Sequence, residues 1–155
     1  MYVVGDGPYL ESAQAYVSGK GLDASIIFTG RVDNEEMLSY YARSSVYLMT
    51  SMSEGMPRTL LEAMACGLPV VCTDIPQLVP IIEAGGIVIQ KKDIGGVVGA
   101  LERLYGDGDL SEGFGLSGRK KIVEGYSLSA MNVETERVYA NLLTIPLRVS
   151  YIILD

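Results

Sequence analysis

The sequence predicts an α/β domain, a parallel sheet with helices packed on both faces. Three observations carry that expectation. Short β-rich runs alternate with helical runs, and glycine and proline punctuate the junctions. The β-rich runs are apolar at consecutive positions, so both faces of each strand need a cover. Each run is followed by a helical segment, the pattern of right-handed crossovers between parallel strands.

The elements follow in order. Tyr2-Val3-Val4 reads as a strand and Gly5-Asp6-Gly7-Pro8 as a turn, with a helix from Tyr9 to Lys20 closed by Gly19 and Gly21. Ser25–Thr29 is the second strand, ending at Gly30, and Asp33 or Asn34 can cap a helix that runs to Arg43. Val46–Met49 is the third strand. Pro57 suits the first position of the next helix, where its missing N–H has no partner to lose. Gly67 suits the position just past the end of that helix, and Pro69 blocks continuation. Leu68–Cys72 is the fourth strand, Ile75 to Glu83 a short helix, and Gly86–Ile89 the fifth strand. Beyond Asp93 the pattern is helical, over 94–105, 109–124 and 128–143. After Pro146, Arg148–Leu154 is a β-prone apolar run expected to pair, since such a strand left open invites aggregation.

A chain of 155 residues is one domain, long enough to bury about two thirds of its unfolded surface. The net charge of −7, with the few basic residues scattered, argues against a nucleic-acid groove or a polybasic membrane patch. No apolar run is long enough to span a membrane, no signal peptide is expected, and two cysteines make no disulfide framework. A cytoplasmic protein follows. Histidine is absent, which removes the Ser-His-Asp triad, histidine-bound zinc and histidine bases.

In parallel α/β folds the ligand crevice lies beyond the carboxyl ends of the strands. The loops there are Gly5–Pro8, Gly30–Asp33, Thr50–Pro57 and Thr73–Gln77. Glu54 lies in the third loop, and Glu62 about five residues into the following helix, roughly 7.5 Å along its axis. Between them lie unpaired backbone N–H groups and the positive end of a helix dipole, a ready anion site. Carboxylate, anion pocket and carboxylate suit the ribose, diphosphate and hexose of a nucleotide sugar. Leu60, Leu61, Ala63, Met64 and Ala65 make the helix apolar nearly all round, so Glu62 is expected to be largely buried and to need a partner. That partner is either Arg58 or a ligand. The Gly5-Asp6-Gly7-Pro8 turn lacks the third glycine of a dinucleotide fingerprint, with Leu10 in its place, so NAD is not implied. Gly30-Arg31-Val32 is either a plain turn with an exposed arginine or an edge that meets a nucleobase and phosphate. Cys66, Cys72, Met49, Met52 and Met64 read as core filling, Met56 as the pocket mouth, and the tyrosines near position 40 as packing on a helix face.

Four segments together resemble a known family: Val3–Pro8, Phe28–Val32, Ser53–Gly67 with its Glu-x7-Glu spacing, and Gly67–Val71. The chain looks like the C-terminal, donor-binding half of a group 1 (family 4) glycosyltransferase with the GT-B fold. The resemblance implies a Rossmann-like three-layer domain and a retaining, metal-independent transfer of a hexose from a UDP-, GDP- or ADP-sugar, with no further cofactor. It implies that Glu54 contacts the donor sugar as the catalytic carboxylate and that Glu62 holds the ribose hydroxyls. Gly55, Met56, Pro57, Arg58 and Thr59 would meet sugar and phosphate. Gly5 would lie beside the crevice, and Gly30, Arg31 and Val32 would meet the base. Where the family often has paired glycines after the fourth strand, this chain has Ile75-Pro76-Gln77. The family's domain also begins one strand and helix earlier, with that strand central in the sheet. Residues 1–143 are therefore expected to be a donor domain short of its first βα unit and of its acceptor-binding partner domain. On this reading the fragment cannot transfer alone, and the full enzyme could associate with a membrane surface. Residues 144–155 would be a tail that fills the vacant strand position, pairs across a homodimer or docks on the surface, and a homodimer could also form through the exposed sheet. Two alternatives stay open: a non-catalytic nucleotide-binding or interaction module, and a GT-B-fold sugar epimerase.

Overall fold

The computed structural model of the protein describes residues 1–144 of the 155, so the expected pairing of residues 148–154 lies outside the described residues. The described elements alternate as the sequence predicts: β1 (Tyr2–Val4), α1 (Leu10–Gly19), β2 (Ile27–Gly30), α2 (Asn34–Ala42), β3 (Tyr47–Met49), α3 (Arg58–Ala65), β4 (Val70–Thr73), α4 (Val79–Gly85), β5 (Gly86–Ile89), α5 (Ile94–Gly106), α6 (Gly108–Gly125) and α7 (Leu128–Thr144). Asp93 and Asp107 cap α5 and α6, accepting from the N–H groups of Gly96 at 2.8 Å and Leu110 at 2.9 Å.

Every ladder between strands is parallel, but the strands form two sheets. β1 pairs with β2, Tyr2 opposite Ile27, and a register shift follows at Val4. β3, β4 and β5 pair in that order, with Met49, Cys72 and Val88 side by side. No ladder joins the two sheets among the described residues, so β1 and β3 each keep an open edge.

Only the second sheet has the expected three layers. Val70 and Cys72 face α3, α4 and α6 through Leu60, Met64, Ile81, Ile82 and Ile122. Val71 and Ile89 face α5 through Ala100 and Leu104 on the opposite side. Successive β4 residues thus point into different cores, which is why the strand is apolar throughout. α6 packs closely on α4 and on the turn after α3 because glycines stand at those contacts: a Cβ on Gly115 would lie 2.2 Å from the Gly67 carbonyl oxygen, and one on Gly118 3.0 Å from the Gly85 Cα. The first sheet departs from expectation, since Tyr2, Val4 and Ile27 are exposed.

Candidate functional site

α3 begins one residue later than the proline position suggests. Pro57 is the N-cap, extended at φ −71° and ψ 118°, and Arg58 is the first helical residue. No side chain caps this end among the described residues, and no acidic residue occupies the first turn. The first N–H groups of α3 therefore point outward unneutralised, where a helix dipole favours an anion. The opposite end is closed. Gly67, at φ +81°, lets its N–H reach the Met64 carbonyl at 2.9 Å while Leu68 N–H reaches that of Ala63 at 3.1 Å. Arg119 from α6 donates to the Ala65 carbonyl, placing a cation at the negative end of the helix.

The loop after β3 is pinned from two sides. Ser51 Oγ donates to Glu54 Oε1 at 2.8 Å, and the buried Thr73 hydroxyl donates to the Ser51 carbonyl at 2.6 Å. Gln77 Nε2 donates to the Glu54 carbonyl, so the Ile75-Pro76-Gln77 segment is tied to the Glu54 loop. Glu54 is half-buried, as is Pro57, while Gly55, Met56, Arg58 and Thr59 are exposed.

Glu62 differs from expectation. α3 is amphipathic, with Leu60, Ala63 and Met64 buried and Arg58, Thr59 and Cys66 outward, so the Glu62 side chain keeps 36% of its surface exposed. Arg58 lies 3.6 Å from Glu62 Oε1, but its own side chain is 78% exposed, which makes the pair weak. The firmer partner is one that sequence reasoning missed: Tyr41 of α2 donates from its hydroxyl to Glu62 Oε2 at 3.1 Å. Burial, and then the neighbouring Glu62 carboxylate, push the Tyr41 hydroxyl pKa up, so it stays protonated and remains a donor. Tyr47 shares a hydrogen with Thr59 Oγ1 at 2.9 Å, and burial likewise raises its pKa. Tyr41, expected only to pack, and Tyr47 of β3 thus both reach residues of the site. No local pattern announces contacts twelve and twenty-one residues apart.

The second group of expected residues lies at the carboxyl ends of β1 and β2. Gly5 N–H donates to the Gly30 carbonyl at 2.8 Å, and both glycines have positive φ, +125° and +67°. Arg31 is exposed and Val32 half-buried beside them. No hydrogen bond or ion pair joins this group to the Glu54–Glu62 group among the described residues. Tyr2 of β1 does meet Tyr40 of α2 edge-on, ring centres 5.4 Å apart, with Arg43 over both rings.

Two cavities lie away from these residues. One of about 410 Å³ sits between α1 and β2 near Val17, Asp23 and Phe28. Another of about 330 Å³ lies between β5 and α5 near Asp93 and Arg103. Neither cavity is lined by Glu54, Glu62 or the first turn of α3. Of the residues expected to fill the core, Cys72 is buried and its thiol pushed up to about 12 by that burial, whereas Cys66 and Met52 are exposed. No helix among the described residues is long and apolar enough to cross a membrane.

Known proteins resemble this chain in sequence and in fold. The chain is 32% identical over 123 residues to the sulfoquinovosyl transferase of Arabidopsis thaliana, an alignment that covers 76% of this chain and 23% of that protein. The structure superposes on the sucrose-phosphate synthase of Thermosynechococcus elongatus with a TM-score of 0.81 at 23% identity, over 92% of this chain and 38% of that one. It matches the Anabaena protein HepE, solved in complex with UDP, with a TM-score of 0.81 at 18% identity, over 90% of this chain and 40% of that one. The chain thus spans well under half the length of these relatives. These structural neighbours are GT-B glycosyltransferases, so the expected fold holds. The family model for glycosyl transferases group 1 matches residues 1–107. The chain belongs to the group 1 glycosyltransferases.

Proposed function

We propose that this chain is the donor-binding part of a retaining glycosyltransferase that moves a hexose from a nucleotide diphosphate sugar. The observation that carries the reading is the uncapped amino end of α3, set between Glu54 in its pinned loop and Glu62 on the helix. The N–H groups there would receive the diphosphate and stabilise its charge as it departs. Glu62 would accept the ribose hydroxyls and Glu54 would face the donor sugar. Arg58, loosely held and exposed, is free to turn to phosphate. The Gly30–Val32 edge would meet the base.

The structure of HepE with UDP supports a nucleotide on this fold, and the short span of each relative supports a longer parent enzyme. The acceptor would be held by a part of that parent outside this chain, working inside the cell. Without the part that would hold the acceptor, the isolated chain would hold a donor without completing transfer. Titration calorimetry with UDP, GDP and ADP and their hexose conjugates tests this. The expected result is binding of one nucleotide series that Glu62→Ala weakens by at least tenfold. If none of the three series binds, a non-catalytic interaction module takes the place of this reading.

A further inference from the structure

We propose that Tyr41 is a positioning residue for ribose recognition, its hydroxyl holding one Glu62 oxygen so that the other stays set for the ribose hydroxyls. The inference rests on the donor-binding reading above. Tyr41 is only 6% exposed and packs with Ala63 and Leu68, with Met37 and Tyr47 against them, so its ring is fixed by its surroundings. From that fixed ring the hydroxyl reaches Glu62 Oε2 at 3.1 Å and the Thr59 carbonyl at 3.4 Å. The hydroxyl has one hydrogen, and it serves the nearer, charged Glu62 oxygen, leaving the Thr59 carbonyl as the longer contact.

The other oxygen, Oε1, meets the exposed Arg58 at 3.6 Å, beyond hydrogen-bond distance. Glu62 is therefore held firmly on one side and loosely on the other. A glutamate on an exposed helix face samples many rotamers, and a ligand that fixes one of them loses affinity to that ordering. With Oε2 tied inward the ordering is already done. A carboxylate also has lone pairs enough to keep the tyrosine bond while Oε1 accepts from a ribose hydroxyl. Without the tyrosine hydroxyl, Glu62 could turn to Arg58, four residues back on the same face, and that pairing would compete with the sugar.

The test separates positioning from support of the fold. On the full 155-residue chain, UDP, GDP and ADP are each titrated against their 2′,3′-dideoxy analogues, for wild type, Tyr41→Phe, Glu62→Gln and the double variant. Wild type should prefer the ribonucleotide of one series by tenfold or more. Tyr41→Phe should cut that preference by about fivefold to tenfold, the scale of one ordinary net hydrogen bond, and leave the dideoxy affinity unchanged. Adding Tyr41→Phe to Glu62→Gln should change the preference no further, because the tyrosine acts through the carboxylate. Two outcomes overturn the proposal: Tyr41→Phe keeps the full preference, or it weakens both ligands alike with a lowered unfolding midpoint, the mark of a merely structural side chain. Should wild type bind no ribonucleotide, or bind ribo and dideoxy forms equally with Glu62→Gln silent, the donor reading itself fails and takes this proposal with it.

Discussion

The two sheets are written in the same residue vocabulary and meet different fates. Tyr2-Val3-Val4 in β1 and Val70-Val71-Cys72 in β4 are both runs of apolar, β-prone residues. Yet Val70, Val71 and Cys72 are wholly buried, whereas Ile27, beside Tyr2 in the first sheet, remains 48% exposed. The difference is coverage. α3, α4 and α6 close one face of the second sheet and α5 the other, while the buried clusters hold nothing from β1, α1 or β2. An apolar strand states what it needs, and only its neighbours decide whether it gets it. Function divides along the same line. Glu54 and Glu62 stand on elements anchored in the packed half, and the Gly30–Val32 edge stands on the thin one.

The largest expected effect tests that division. Leu60 is fully buried beneath the site, so Leu60→Ala should lose about 2–5 kcal/mol in denaturant unfolding. Ile27→Ala, which removes a side chain of similar size from the exposed sheet, should lose less than about 1 kcal/mol because little burial is forfeited. Equal losses would mean that the two halves share one core, and the comparison would break. Next in size is Gly115→Ala. Its Cβ would meet the Gly67 carbonyl oxygen, and moving α6 away should cost about 1–3 kcal/mol, read from the shift in urea midpoint. The alanine variant of Gly113, whose Cβ meets nothing, should be neutral or slightly stabilising as a helix position.

Smaller again is Thr73→Val. The hydroxyl is buried and satisfies the Ser51 carbonyl, and that carbonyl belongs to the loop whose serine holds Glu54. Valine keeps the shape and removes the bond, so about 1–2 kcal/mol should be lost. Amide hydrogen exchange should then quicken in residues 50–56 more than in β4 itself. Thiol labelling gives the same contrast without mutation. Exposed Cys66, though its thiol is also pushed up by partial burial, should react first, and Cys72, buried with its thiol pushed up to about 12, only as the second sheet opens.

Much of this was legible in the chain, and the exceptions have physical reasons. Strand and helix order followed from glycine and proline punctuation, and most boundaries fell within two residues. Gly67 carried its own explanation, a left-handed turn that no Cβ opposes. α4 begins at Val79 and not near Ile75, and Pro80 held that information, because a proline belongs in the first turn. Ile75 instead starts a turn in which Leu78 N–H returns to its carbonyl at 2.8 Å. The division into two sheets was not legible, since strand neighbours are settled by packing across the whole domain. Glu62 stays partly exposed because the buried residues of α3, Leu60, Ala63 and Met64, fall on one side of the helix, and the number of apolar residues alone does not carry that side. Tyr41 was out of reach for a related reason: its bond to Glu62 depends on how α2 lies against α3, and no spacing encodes that.

The smallest expected effect on stability separates folding from function at one residue. Arg58 and Glu62 form an exposed pair at 3.6 Å, a geometry worth no more than about 0.5 kcal/mol between helix neighbours. Arg58→Ala should therefore leave the unfolding midpoint almost unmoved. Under the donor reading the same change should weaken nucleoside diphosphate binding several-fold and flatten its salt dependence, because a cation that met phosphate has gone. The nucleoside without phosphates should bind as before. A loss shared equally by nucleoside and diphosphate would place Arg58 in the service of Glu62 and not of the phosphates. A packed half can carry loosely held charges at its surface because its stability does not depend on them, which leaves those charges free for a ligand.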